Sequence, residues 1–265
     1  YLGGSGYGAK LLYDEFDHTV DPFSPDNPII FMNGLLTGLA IPTAAKSSFV
    51  TKSPLTGIWG ESTVGGNFGP EIKRCGYDGI IITGKSEKLA YLWITDEKVE
   101  IRSAENLMGV DVVETAKTIR SNTHEKAEVA SIGIAGENMN KIAAIMVGEE
   151  ELRAAGRCGI GAVMGSKNLK AIAAKGKLKI DIHDRQKLKE HIKEFLPVMQ
   201  KGTRGLYDFG TAGGVQGVEV SGDLPIKNWT LGNWTEGAAK TCGQYMEEQG
   251  IIVSHHACFS CSIRC

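Results

Sequence analysis

The chain has 265 residues, 29 of them basic and 31 acidic, for a formal net charge of −2. That balance leaves no electrostatic footprint for nucleic acid, and no apolar run approaches the ~18 residues a membrane span requires. A hydrophobic content of 42% excludes a disordered chain. Glycine is the outlier: 34 residues, roughly 13% where about 7% is usual, against only 8 prolines. Such an excess points to backbone that approaches something closely or adopts positive φ. No signal-peptide pattern opens the chain. It begins at Tyr1 and closes on Cys265, so both ends read as cut.

In chain order, the glycine-rich opening of residues 1–8 leads into a helical pattern over Ala9–Phe16. Turn chemistry follows at Asp21–Pro28, and Pro28–Met32 reads as a buried strand. Residues 53–69 carry so much Gly, Ser and Thr that they read as a long functional loop. A short helix at Pro70–Cys75 precedes a strand at Gly79–Thr83, and residues 90–102 read as a hairpin turning at Asp96-Glu97. Val110–Arg120 has the amphipathic helical period; Ala127–Ile132 and Ile142–Val147 read as strands. Beyond residue 178 strand-like runs become rare, and Asp184 is placed to cap a helix running to about Met199. A domain boundary is therefore expected at 178–183, giving domains 1–178 and 179–265. Residues 65–85 and 157–177 also share an order of glycine loop, short helix and apolar strand ending in Gly-Lys, at an offset of 92.

Six cysteines stand at 75, 158, 242, 258, 261 and 265. They are too sparse for a secreted disulfide framework, which favours metal ligation in a reducing, cytoplasmic compartment. Cys258-Phe-Ser-Cys261-Ser-Ile-Arg-Cys265 can wrap one face of an iron–sulfur cluster, with a distant fourth ligand. Zinc is the competing reading, with His255 and His256 available, and unligated cysteines the third. Cys75, Cys158 and Cys242 read as small buried residues. Gly159-Ile-Gly161-Ala-Val-Met-Gly165 has one residue too many for a dinucleotide fingerprint and lacks the preceding strand. Gly165-Ser166-Lys167 reverses the Lys-Ser order of a Walker loop. In Arg153-Ala-Ala-Gly156-Arg157, two guanidiniums flank small residues just before a helix start. That suits an anion such as phosphate, or else a solvated loop pairing with Glu149–Glu151.

Segments spread along nearly the whole chain resemble, in order, the tungsten-containing aldehyde ferredoxin oxidoreductase family. They are Tyr1-Leu-Gly-Gly, Asp21-Pro-Phe-Ser-Pro, Thr51-Lys-Ser-Pro-Leu-Thr-Gly57 and Gly65-Gly-Asn-Phe-Gly-Pro-Glu-Ile-Lys73. Gly76-Tyr-Asp78, Ser131–Asn138, Arg153–Arg157, Gly161–Ala171 and the cysteine triplet continue the series. The resemblance implies an α+β fold: a duplicated, mixed-sheet pterin-binding domain, then the start of a mainly helical domain bearing the cluster. It implies tungsten (molybdenum in some relatives) held by two pterins, a 4Fe–4S cluster, and electrons passed to ferredoxin or another electron-transfer protein. A small aldehyde would be the substrate and a homodimer or larger complex the assembly.

By position, Lys46 falls where the family has an arginine between pterin and cluster, and Thr63 where an asparagine is common. The family residues matching Thr63 and Ala154 offer backbone carbonyls to a magnesium ion joining the pterin phosphates. Gly65, Arg153 and Gly156 match other pterin contacts, and Cys258, Cys261 and Cys265 match cluster ligands. A backbone ligand tolerates Asn→Thr; Lys46 is the larger departure, because lysine lacks the planar fork. The catalytic groups and the fourth cluster cysteine are expected outside this sequence, so no catalytic residue is assigned and this piece alone is expected to be inactive. Two other readings remain: a non-catalytic pterin- or cluster-binding electron-transfer subunit, and a relative that reduces acyl thioesters.

Overall fold

Ten strands form two sheets within residues 1–182, the first of two units in a computed structural model that describes all 265 residues. Helix α1 (Gly4–Glu15) precedes strands β1 (Ile29–Asn33), β2 (Ser47–Lys52) and β3 (Trp59–Val64), then helix α2 (Phe68–Arg74) and strand β4 (Gly79–Ile82). The hairpin β5 (Ala90–Thr95) and β6 (Val99–Ser103) and helix α3 (Val112–Asn122) come next. Strand β7 (Glu128–Ser131), helix α4 (Ile134–Glu137), strands β8 (Ile145–Val147) and β9 (Arg153–Ala155), helix α5 (Ile160–Ser166) and strand β10 (Leu169–Lys175) complete the unit.

The first sheet runs β3-β2-β1-β4, antiparallel throughout. The second runs β6-β5-β10-β7-β8-β9, with only the β10–β5 pair parallel. Its β9-β8-β7-β10 portion repeats the first sheet strand for strand: a three-strand meander, a helix, and a fourth strand pairing with the first. The register repeats as well. Gly79 faces Met32 and Ile82 faces Ile29 in one copy; Ala171 faces Ser131 and Ala174 faces Glu128 in the other. The two helices, at 68–74 and 160–166, are separated by the offset read in the sequence.

Each of these helices carries a glycine where it meets a sheet or loop. A Cβ on Gly69 would overlap Ser47 Oγ, and one on Gly161 would come within 2.5 Å of the Ala144 carbonyl oxygen. The main core lies around Phe31, with Phe49 at 4.9 Å and Phe68 edge-on at 5.1 Å between ring centroids. A second core under α3 gathers Trp93, Ile119, Val129 and Ala173. Asp111 starts α3 by accepting the Val113 and Glu114 N–H groups, each at 2.9 Å.

The stretch 53–69 is not one loop, because β3 runs through it. Its inward positions Gly60, Ser62 and Val64 are buried, and the first is small for a reason: a Cβ on Gly60 would sit 2.9 Å from Cys158 Cβ. Arg153-Ala-Ala is likewise a strand, β9, rather than a loop. Helix α1 starts at Gly4, five residues before the helical pattern, and its Gly8 lies against Val50, whose Cγ2 is 2.8 Å from the Cβ position.

Residues 183–265 form the second unit, described here by itself. It is helical: α6 (Arg185–Gly202), α7 (Arg204–Phe209), α8 (Val215–Val220), α9 (Thr235–Thr241) and α10 (Gly243–Glu248). Asp184 caps α6 through the Lys187 N–H at 2.8 Å. The buried Glu219 carboxylate accepts the Trp234 N–H (2.9 Å) and the Thr235 hydroxyl (3.1 Å), tying α8 to α9. No helix in the chain is long and apolar enough to cross a membrane.

Candidate cofactor-binding edge

Strand pairing brings the candidate residues of the first repeat to one end of its sheet. Asn33, Ser47 and Val64 form the last rung, so Lys46 and Gly65 stand one residue beyond it and Thr63 within it, opposite Ser48. Lys46 is held by its backbone: its carbonyl accepts the Thr37 hydroxyl (2.9 Å) and the Gly34 N–H (3.3 Å), and its side chain is exposed. Ser47 Oγ donates to Asn33 Oδ1 at 2.7 Å, leaving the buried Asn33 Nδ2 without a partner.

The second repeat places Ala154 opposite Met146, the register position that Thr63 has opposite Ser48. The hydrogen-bond alternation of antiparallel strands then fixes where each backbone points. Ser53 N–H donates to Ile58 O at 2.8 Å, so Gly60, Ser62 and Val64 bond toward β2, and Thr63 turns its N–H and C=O to the free edge. Gly148 N–H donates to Val129 O at 2.9 Å, so Val147 and Ile145 bond to β9 through Arg153 and Ala155. Ala154 therefore also turns its carbonyl outward.

These two free edges face each other. Arg157 N–H donates to Ser62 Oγ (3.0 Å), Ser53 Oγ donates to the Cys158 carbonyl (2.8 Å), and the Cys158 thiol reaches the Glu61 carbonyl (3.6 Å). Arg153 lies across Gly66, whose φ is +87° and whose Cβ position is 3.4 Å from Arg153 Cγ. That φ would strain any residue with a side chain, while the space beside the arginine would take a Cβ in ordinary contact. Gly156 and Arg157, both exposed, continue the second edge. Neither α2 nor α5 has a side-chain N-cap. Outward carbonyls, exposed cations and small residues are a donor set that fits a phosphorylated ligand bridged by a cation.

Ser53, Ser62 and Cys158 were not read as site residues. The only advance signal for Cys158 is its place between an arginine and Gly159, where φ of +63° is strained for a residue with a side chain. A larger cavity, of about 600 Å³, opens near Tyr13, Phe16, Ile58 and Trp59. It lies at the opposite end of β3 from Val64 and takes in none of the candidate residues.

In the second unit Cys258, Cys261 and Cys265 are free thiols on one irregular segment after α10, with Cys261 N–H donating to Cys258 O at 3.0 Å. Their chemistry fits a cluster, but they do not converge: no group of three or more His, Cys, Asp or Glu side chains is arranged to hold a metal ion. Cys75 is buried in the main core beside the Ile94 carbonyl, and burial pushes its thiol up to about 12.

The chain matches the family described as aldehyde ferredoxin oxidoreductase, N-terminal domain, over residues 1–176, and its domains 2 and 3 over residues 186–265. It belongs to the aldehyde ferredoxin oxidoreductase family. The tungsten-containing aldehyde ferredoxin oxidoreductase of Pyrococcus furiosus is 44% identical over this whole chain, which spans 44% of that relative. The WOR-like subunit of an aliphatic sulfonate oxidoreductase from the same organism is 37% identical over 86% of this chain and 39% of its own. Among solved structures, the BamBC active-site complex of benzoyl coenzyme A reductase with 1,5-dienoyl-CoA aligns over 100% of this chain and 42% of its own. Its TM-score is 0.83 and its identity 32%. The chain thus spans less than half the length of the relatives it matches.

Proposed function

We propose that this chain is the cofactor-binding portion of a tungsten (or molybdenum) bis-pterin oxidoreductase that oxidises a small aldehyde to a carboxylate and passes electrons to ferredoxin. The observation that carries this reading is the pair of facing edges, with Thr63 and Ala154 at equivalent register positions and both carbonyls turned outward. When bound, the bis-pterin metal centre would supply two-electron chemistry, and a 4Fe–4S cluster would supply single-electron transfer.

The residues of this chain bind and orient. Lys46 and Arg153 bring positive charge to the pterin phosphates, while Gly65 and Gly156 allow the backbone close approach. The outward carbonyls of Thr63 and Ala154 would be oxygen ligands for a magnesium ion held with the cofactor. In the second unit, Cys258, Cys261 and Cys265 are the proposed cluster ligands. A reductive relative acting on an acyl thioester is the second reading, supported by the likeness to benzoyl coenzyme A reductase.

The test is cofactor retention. Lys46→Glu and Arg153→Glu should each lower pterin and tungsten content at least several-fold, whereas Lys46→Arg should retain both. Full loading of both glutamate variants would remove these residues from the site.

A further inference from the structure

Each seated helix is locked, through its C-terminal half, to the repeat it does not belong to. On α2 the buried Glu71 carboxylate accepts the Gly176 N–H (3.0 Å) and the Lys175 ammonium (2.6 Å). The Arg74 carbonyl at the end of the same helix accepts the Leu178 N–H at 3.0 Å. Lys167 follows α5 directly and is also buried. Its ammonium donates to the carbonyls of Pro25 (2.8 Å) and Gly84 (3.2 Å), and its own carbonyl accepts the Ser86 N–H at 3.0 Å. Gly176 and Leu178 stand 92 residues after Gly84 and Ser86, so the two grips are equivalent. In each, the chain leaving the fourth strand of one repeat is held by the helix of the other. The fit is close: a Cβ on Gly176 would lie 2.2 Å from the Arg74 carbonyl carbon.

The grips use opposite charges to one end. A buried charge is costly unless its hydrogen bonds are made; here the carboxylate takes N–H donors and the ammonium takes carbonyls. Burial lowers the Lys167 ammonium to about 8, against the opposing pull of the Asp26 carboxylate. Neither Glu71 nor Lys167 is among the candidate cofactor residues. Each acts along a helix of seven residues, about 10 Å long, whose other end continues straight into a loop of the cofactor edge. Those loops are residues 65–67 before α2 and residues 156–159 before α5. Short connections of three and four residues leave little slack between helix and edge.

We propose that Glu71 and Lys167 are positioning residues: by fixing each helix to the opposite repeat, they set how the two edge loops face each other. The consequence for cofactor binding rests on the bis-pterin reading; the consequence for the loops stands apart from it.

Residue-resolved amide hydrogen exchange, with pterin content measured on the same preparations, separates positioning from general destabilisation. The Arg157 N–H crosses between the edges to Ser62 Oγ and reports their facing. Lys167→Met should speed its exchange by about tenfold or more while the α3 amides keep their protection. Glu71→Gln should act on the same bond more weakly, because an amide oxygen still accepts the Gly176 N–H. Ile119→Ala, in the separate core under α3, should do the reverse, loosening α3 and leaving Arg157 protected. Pterin content should fall several-fold in Lys167→Met and hold in Ile119→Ala. Should Lys167→Met not fold, Asn168→Gly weakens the same grip. It removes the Nδ2 donor to Ser86 O, and glycine suits the φ of +55° there. Faster exchange confined to Gly84 and Ser86, with Arg157 unchanged, overturns the proposal. So does equal loosening of Arg157 by Ile119→Ala, or full pterin retention by Lys167→Met from a loaded parent. A parent that releases no pterin removes the cofactor reading alone, and exchange at Arg157 then decides the grips.

Discussion

The two repeats of the first unit share topology, register and the glycine that seats the helix, but they contribute different chemistry to the edges that face each other. Arg153 occupies the register position of Ser62, and Lys46 that of Ala144. One repeat supplies its cation from the strand that lines the edge, the other from the loop entering the neighbouring strand. Duplication fixes the scaffold and the outward carbonyls; substitution at equivalent positions decides where charge stands and how deeply it is buried.

The largest expected contrast lies at Lys170 and Asp78, which the repeat places at equivalent positions. Lys170 is fully buried, paired with Glu137 and donating to Val110 O at 2.7 Å, while Asp78 pairs with Lys73 with its side chain 81% exposed. Lys170→Met strands a buried carboxylate and should cost about 3–5 kcal/mol in denaturant unfolding. Asp78→Asn should cost under about 1 kcal/mol. Equal costs would break the claim that burial separates the two copies.

Next come the seating glycines. Alanine at Gly161 meets the fixed carbonyls of Ala143 and Ala144, whereas at Gly69 it meets the ends of the Ser47 and Asn33 side chains. Gly161→Ala should destabilise by about 3 kcal/mol and Gly69→Ala by about 1 kcal/mol, within the usual range for overpacking. Ser47→Ala should recover part of the latter in thermal melts and none of the former.

The smallest contrast concerns Glu128, at the register position of the buried Ile29. Burial pushes its carboxyl up to about 6; Arg120 and Lys175 oppose the shift, and Glu71 and Glu151 add to it. A folded-state value above the unfolded one means that this group's stabilising contribution is present at low pH and lost as pH rises through about 6. Glu128→Gln should therefore melt higher than the parent at pH 7 by an amount worth up to about 2 kcal/mol, with the gap closing below pH 4.5. A pH-independent difference would mean that the carboxyl is not desolvated.

Much of the scaffold was legible because it depends on period and caps. The Pro28–Met32 and Gly79–Thr83 runs, the 90–102 hairpin and the Asp184 cap all correspond to elements within a few residues. The offset of 92 was visible from the shared order of glycine loop, short helix and apolar strand closing on Gly-Lys, and topology explains part of it: Gly69 and Gly161 both seat a helix. Strands β3 and β9 were illegible for the reason that makes them interesting. Between Trp59 and Val64, and along β9, the residues are small or polar where the edges close on each other, so no alternation of apolar side chains marks them. The facing of Ser62 with Arg157 and of Ser53 with Cys158 joins positions about a hundred residues apart, and no local pattern carries that. The cysteine triplet was plain in the sequence, but its thiols do not converge.

The central claim, that two equivalent edges hold one bis-pterin metal centre, is tested most directly by metal and pterin analysis of the protein purified without oxygen. The expected result is tungsten or molybdenum together with pterin released on denaturation, in a bis-pterin ratio to the metal. Zinc as the only metal, or no pterin released, would contradict it.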